Sequence, residues 1–150
     1  MNSRDEVEFR LALAAGFLQE AEQDVGLQRR SCVDNAQLAA ENAGKAVLAL
    51  FGIPPKTHEP AKEMATLLRT AGVTADVQGM VGRMLPDLLA LGHAEHFMTD
   101  YGDETTYTLP WEIFTGESAG AALEKARRAL SSAREIVAMA RSREPRTPAR

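Results

Sequence analysis

The stretch from Asp34 to Leu68 constrains the fold most, because it specifies one helix, its end and the start of the next. Its apolar residues recur at steps of three and four, the spacing that places side chains on one helix face: Ala36, Ala39, Ala40, Ala43, Val47, Leu50 and Phe51. Gly52 is placed to end this helix in a left-handed conformation. Pro54 and Pro55 then prevent its continuation, because proline has no amide hydrogen and its ring clashes with the preceding turn. We expect Thr57 to cap the next helix, from about residue 58 to 71.

The composition favours helices over strands. Hydrophobic residues make up 45% of the 150 residues, but aromatic residues only 5%. Alanine and leucine carry much of the apolar content, and they suit close helix packing better than the β-branched and aromatic residues of a sheet. A chain of this length is large enough to form one domain without disulfides or metals. The sequence therefore predicts a single all-α domain.

The remaining helices follow from the same periodicity. The first is expected from about residue 3 to 25, the fourth from about 77 to 98 and the last from about 118 to 140, capped by Ser118. Pro86 should bend the fourth helix near Met84 and Leu85. The resulting architecture is an antiparallel up-and-down bundle of four to five helices, with one long loop before the last helix.

The loop and the C-terminal end carry the chain's least regular sequence. Residues 100–115 mix turn formers with aromatic residues, and we expect Trp111 to close one end of the core rather than to be an exposed recognition residue. We assign residues 1–140 to the bundle and residues 141–150 to a disordered tail rich in arginine and proline.

The charge distribution argues against a nucleic-acid platform. The net charge is −4, from 21 acidic and 17 basic residues; the tail is +3, so the body is −7. Arg29 and Arg30, at the start of the second helix, are expected to be solvated charges. A lone cysteine excludes an intramolecular disulfide, and no apolar run approaches the ~18 residues that span a bilayer. We therefore expect a cytoplasmic protein with no membrane contact.

Most active-site patterns are absent from the sequence. It contains neither a glycine-rich phosphate loop nor a Gly-x-Ser-x-Gly nucleophile elbow. Cys32 is interpreted as an ordinary small residue. His93 and His96, three apart, would share a helix face and supply two metal ligands, with Cys32, His58 or Asp100 left to complete the set. Because nothing else has ligand spacing, we expect no metal site and no cofactor.

The central stretch resembles the signature of the HEPN family, in which an alanine-rich helix with Glu and Lys four apart precedes a Gly/Pro turn, Thr-His and an amphipathic helix. The matching positions are Gln37, Ala40, Glu41, Lys45, Gly52, Pro55, Thr57 and His58. A weaker resemblance extends from about Phe9 to Met139. The resemblance implies a helical bundle, in many members a dimer.

The resemblance implies two functions. Non-catalytic members accompany a minimal nucleotidyltransferase in modules of the toxin–antitoxin kind, which here implies a homodimer with Glu41, Lys45 and His58 as nucleotide-binding residues. The alternative interpretation is that Glu41 and Lys45 only pair on a helix surface. Catalytic members are metal-independent ribonucleases with an Arg-x4-6-His motif, in which four to six residues separate the arginine from the histidine. Their motif is absent, since the closest pair, Arg83 and His93, has nine residues between; a substitute would have to assemble Arg83, His93 and His96 across a bent helix.

Overall fold

The computed structural model describes residues 3–53 and 57–144, which form seven helices. In chain order they are α1 (Ser3–Asp24), α2 (Arg29–Leu50), α3 (Pro60–Leu67), α4 (Ala75–Ala90), α5 (His93–Tyr101), α6 (Pro110–Ile113) and α7 (Gly116–Ser142). Within these residues the structure contains no β-strand, and only one isolated bridge joins Asp103 to Thr108. The predicted all-α bundle is confirmed, and its additional helices come from a division of the fourth segment and from a short helix in the long loop.

Helix α2 is the centre of the bundle. A turn at residues 25–27 folds α1 back along it, and α2 also packs against every helix from α3 to α7. Its alanines are buried. Their methyl side chains are small, so the neighbouring helices can approach α2 closely. At its end Gly52 has φ +73°, and the N–H of Ile53 donates to the carbonyl of Leu48 at 2.9 Å. The predicted left-handed end is confirmed, while Pro54 and Pro55 lie outside the described residues.

Helix α3 begins later than predicted. Its first residue is Pro60, and Glu59 occupies the capping position. Thr57 instead accepts a hydrogen bond from the backbone N–H of Glu59, at 3.0 Å. Proline is favoured at the first position of a helix because its missing N–H would be unpaired there anyway. The predicted cap by Thr57 is therefore wrong.

The fourth helix does not divide near Met84 and Leu85, where Pro86 was predicted to bend or split it. Helix α4 continues through Pro86 to residue 90, and the chain breaks at Leu91 and Gly92 instead. A proline removes only one backbone hydrogen bond, and buried side chains on both sides of it hold α4 against the core: Val77, Met80, Val81, Met84 and Leu88. A Cβ atom at Gly92 would lie 3.1 Å from the carbonyl oxygen of Leu89, so glycine suits this sharp exit.

Trp111 does not close the core, as was predicted, because its side chain is 71% exposed. It lies on α6, where Pro110 is buried, and Phe114 directly after the helix is buried too. These two residues are one turn apart and so share a face, which leaves Trp111 on the solvent side. Phe114 fills the place that the sequence analysis gave to Trp111.

Helix α7 is capped by Thr115, not by Ser118 as predicted. Thr115 Oγ1 accepts from the N–H of Ser118 at 3.1 Å, and Ser118 Oγ accepts from the N–H of Thr115 at 2.8 Å, which is a reciprocal capping arrangement. The helix continues two residues past the predicted boundary at residue 140. Arg143, assigned to the tail, forms an ion pair with Asp76 at 3.0 Å. Residues 145–150 lie outside the described residues, so their disorder stays a prediction.

Candidate functional site

Five polar side chains form one row along α2, which we call the α2 stripe: Arg30, Asp34, Gln37, Glu41 and Lys45. Steps of four, three, four and four place them on one face, over a length of about 22 Å. The rest of α2 is largely alanine and other small or apolar residues, and three members of the stripe are buried: Gln37, Glu41 and Lys45. Such a row inside a protein needs a physical explanation, because each buried polar group must be paired.

In the C-terminal half of the stripe the Glu41 carboxylate joins three side chains. One oxygen lies 2.6 Å from Lys45 Nζ and 3.2 Å from His58 Nδ1, while the other accepts from Gln37 Nε2 at 3.1 Å. The side chains of Lys45 and Glu41 are only 9% and 6% exposed. The ion pair is confirmed, but the alternative interpretation of a pair on the helix surface is wrong. His58, at 84% exposure, connects this buried group to solvent.

Gln37 carries an unsatisfied acceptor. Its Nε2 is turned towards Glu41, and this hydrogen bond fixes the orientation of the amide. Its Oε1 is buried and has no hydrogen-bond partner in the described part of the chain. A buried carbonyl without a donor is destabilising by about 1–3 kcal/mol, and such groups in native proteins call for an explanation. The Gln37 amide thus presents a fixed acceptor beside the buried Glu41 carboxylate.

In the N-terminal half the stripe faces α5. His96 lies between two carboxylates, with Nδ1 3.9 Å from Asp34 and Nε2 3.5 Å from Asp100. Arg30 donates to the backbone carbonyl of Thr99 at 2.9 Å and lies 3.8 Å from Asp100. Arg30 is therefore not the solvated charge that was predicted, because it anchors α5 to α2. The cluster combines an imidazole, two carboxylates and a guanidinium.

The structure brings the predicted nucleotide-binding residues together but places the predicted catalytic residues Arg83, His93 and His96 in different surroundings. Glu41, Lys45 and His58 are in contact, as described above. Arg83 lies in a groove between α4 and α7 with Asp87 and Arg128. The ring centroids of His93 and Phe97 are 5.6 Å apart, whereas His96 contacts Asp34 and Asp100.

Cys32 is buried at the start of α2 and donates to the carbonyl of Ala119 at 3.7 Å. Burial raises the pKa of its thiol to about 11, the Asp24 carboxylate adds to the increase, and Arg127 opposes it. A thiol with this pKa stays protonated at neutral pH and is a poor nucleophile and ligand. In the described part of the chain, no three His, Cys, Asp or Glu side chains are arranged to hold a metal ion.

Sequence reasoning missed Arg30, Asp34 and Gln37 as members of a site. The available signal was the regular step of three or four between polar residues on an alanine-rich helix. That signal alone does not show whether the face meets solvent or other helices. Only the packing of the other helices around α2 decides it.

Together, these features define an all-α bundle with a polar row on its central helix, of which three members are buried. The HEPN domain model matches residues 7–143, and the chain belongs to the HEPN domain family. The resemblance identified in the sequence is thereby confirmed. No curated protein matches the chain. Among residues 3–53 and 57–144, none of the helices combines the length and hydrophobicity needed to cross a bilayer.

Proposed function

We propose that this protein is a non-catalytic HEPN accessory protein that binds a nucleotide at Gln37, Glu41, Lys45 and His58. In this proposal it acts in the cytoplasm as a homodimer, alongside a nucleotidyltransferase in a module of the toxin–antitoxin kind. The observation that carries the proposal is the buried Glu41–Lys45 pair, with an unsatisfied amide on one side and an exposed imidazole on the other. A pair that served only as a surface contact would not need these neighbours.

Each side chain offers a different interaction to a nucleotide. Lys45 has three N–H donors, and Glu41 is the ionic partner of one of them, so the others are available to a phosphate oxygen. Gln37 Oε1 requires a donor, which a ribose hydroxyl or a base amino group supplies and a fully ionised phosphate does not. His58 is at the exposed side, where a ligand would enter. The set therefore favours a nucleotide over a simple anion.

Native mass spectrometry of the purified protein, before and after denaturation, tests this proposal. We expect a doubled mass and a bound nucleotide that denaturation releases. The outer face of α1 is the surface we propose for the dimer, since Phe9, Leu13 and Phe17 line an apolar groove there beside Gly16. A monomer without nucleotide, which also fails to bind added ATP or GTP in calorimetry, would contradict the proposal.

Two variants test whether the nucleotide binds at the Glu41–Lys45 pair. The double substitution Glu41→Gln/Lys45→Met removes both charges together and should weaken nucleotide binding at least about tenfold, a loss of about 1.4 kcal/mol. The matched control is Lys62→Met, because the side chain of Lys62, on α3, is 77% exposed and pairs with that of Glu59. The double variant leaves the net charge unchanged, so equal weakening by both variants would mean that the loss is not specific to this site.

A second candidate function, a metal-independent ribonuclease, is favoured by His96. Its imidazole lies 3.9 Å from Asp34 and 3.5 Å from Asp100, and its Nδ1 has no hydrogen-bond partner in the described residues. A histidine so placed could accept the proton of a ribose 2′-hydroxyl. Arg30 would hold the phosphate, but its guanidinium already donates to the backbone carbonyl of Thr99 and lies beside the Asp100 carboxylate. We therefore expect no cleavage of single-stranded RNA in the presence of EDTA. Cleavage that His96→Ala abolishes and His93→Ala preserves would replace the accessory function with this one.

A further inference from the structure

The surface formed by α5, α6 and their connecting loop carries four of the five aromatic side chains that are exposed in the described residues. We call it the aromatic surface, and its members are Phe97, Tyr101, Tyr107, Leu109 and Trp111. They account for five of the nine large hydrophobic side chains that are exposed in the described residues. Phe97 and Tyr101 have ring centroids 4.9 Å apart, and α5 packs beside α6. Exposed apolar side chains grouped in this way are typical of an interaction site.

The loop that carries Tyr107 has a defined conformation. Asp103 and Thr108 exchange two backbone hydrogen bonds, at 2.9 and 3.0 Å, and the Asp103 carboxylate accepts from the N–H of Thr105 at 2.9 Å. Gly102 has φ +71°, and a Cβ atom there would collide with the carbonyl oxygen of Thr108. Tyr107 has φ +56°, the only positive value of a non-glycine residue in the described part of the chain, and is 90% exposed. A strained tyrosine held away from the core has no role in packing.

The charge of this region defines the partner it can accept. Residues 93–117 contain six acidic residues and no lysine or arginine. The hydrogen bonds from Thr105 and Thr106 lower the pKa of Asp103, so its carboxylate is ionised at neutral pH. Arg29 and Arg30 border the surface, in a groove of about 330 Å³ that is also lined by Leu27 and Trp111, and Arg30 already lies 3.8 Å from Asp100. The acidic excess repels polyanions and attracts cations within a Debye length of about 8 Å.

From these observations we propose that the aromatic surface is a docking site for a cationic, amphipathic segment of a partner protein. Lysine or arginine side chains of that segment would pair with the carboxylates and lie over the faces of Tyr101, Tyr107 and Trp111, as cations do on aromatic rings. Its apolar side chains would contact the exposed side chains of Leu109, Trp111 and Leu27. Tryptophan and tyrosine are the residues on which interface energies concentrate. This inference rests on the accessory part of the proposed function and not on the nucleotide site.

A designed helical peptide of lysine and leucine is the probe, and Trp111, the sole tryptophan, is the reporter. We expect the peptide to shift the tryptophan emission, with an affinity that decreases as salt increases. Tyr107→Ala should weaken binding about tenfold, the scale of an interface anchor. The matched control is Leu89→Ala, because Leu89 is also exposed but lies on α4, outside the surface. Far-UV circular dichroism shows whether each variant keeps its helices.

Three outcomes would overturn the inference. One is equal binding by Tyr107→Ala and the unsubstituted protein, and another is equal binding of a glutamate and leucine peptide. The third is binding of oligouridylate in place of the lysine peptide, with loss of affinity in Arg29→Ala; this would make the groove a nucleic-acid site. Peptide binding that survives Glu41→Gln/Lys45→Met separates this surface from the nucleotide site, so either proposal can fail alone.

Discussion

Replacing Lys45 alone with methionine is expected to lower the free energy of unfolding by about 3–5 kcal/mol. The reason is that the Glu41 carboxylate, 6% exposed, would keep its charge inside the protein without the ammonium 2.6 Å away. The amide of Gln37 and the imidazole of His58 would remain, but neither carries a permanent positive charge. Urea denaturation followed by circular dichroism measures the change.

The double variant Glu41→Gln/Lys45→Met tests the cause of that loss. Removing both charges eliminates the uncompensated carboxylate, and a glutamine at position 41 can still accept from Gln37, so at least half of the lost stability should return. Lys62→Met, at an exposed pair, should change stability by less than about 1 kcal/mol. A loss below about 1 kcal/mol for Lys45→Met would show that water reaches the pair and that the stripe is not buried in solution.

The helices that were predicted well are those whose signals are local. The end of α2 at Gly52 and the apolar faces of α1 and α7 depend on residues three or four positions apart, within one helix. The same local spacing predicted only part of the α2 stripe. Spacing predicted the Glu41–Lys45 contact, but its burial depends on helices far along the chain, and the contact of His58 with Glu41 joins residues 17 positions apart.

The wrong predictions share a physical cause. In each case tertiary packing, or a second local sequence signal, determined the structure instead of the signal on which the prediction was based. Pro86 was expected to bend or split the fourth helix near Met84, but α4 is continuous through Pro86 and the division comes at Leu91 and Gly92. Thr57 and Ser118 were expected to cap helices. Helix α3 starts at Pro60 rather than directly after Thr57. Helix α7 is capped by Thr115, with Ser118 as the reciprocal partner. Trp111 was assigned to the core by its residue type alone, and type does not determine which face of α6 a residue occupies.

Gly44 should tolerate no larger side chain, although it lies in the middle of a helix. A Cβ atom there would lie 2.8 Å from Pro60 Cγ and 3.2 Å from Met64 Sδ, and the proline ring cannot move without the start of α3. In an exposed helix, replacing glycine with alanine is stabilising by about 1 kcal/mol. Here overpacking, which costs about 1–3 kcal/mol, should reverse the sign for Gly44→Ala, and Gly44→Leu should cost about 3 kcal/mol.

Gly120→Ala is the matched control for Gly44→Ala. Gly120 is also inside a helix, but a Cβ atom there has no neighbour within 4 Å, so the substitution should stabilise the protein by about 0.5–1 kcal/mol. Opposite signs for the two alanine variants in urea denaturation would show that α3 packs against Gly44 as described. That contact matters for the site, because the segment from His58 to α3 enters the bundle there. Gly44→Leu should therefore also move His58 away from Glu41, and its imidazole NMR signals should shift. Stabilisation by Gly44→Ala equal to that of the control would place the start of α3 further from α2, and with it the imidazole that completes the proposed nucleotide site.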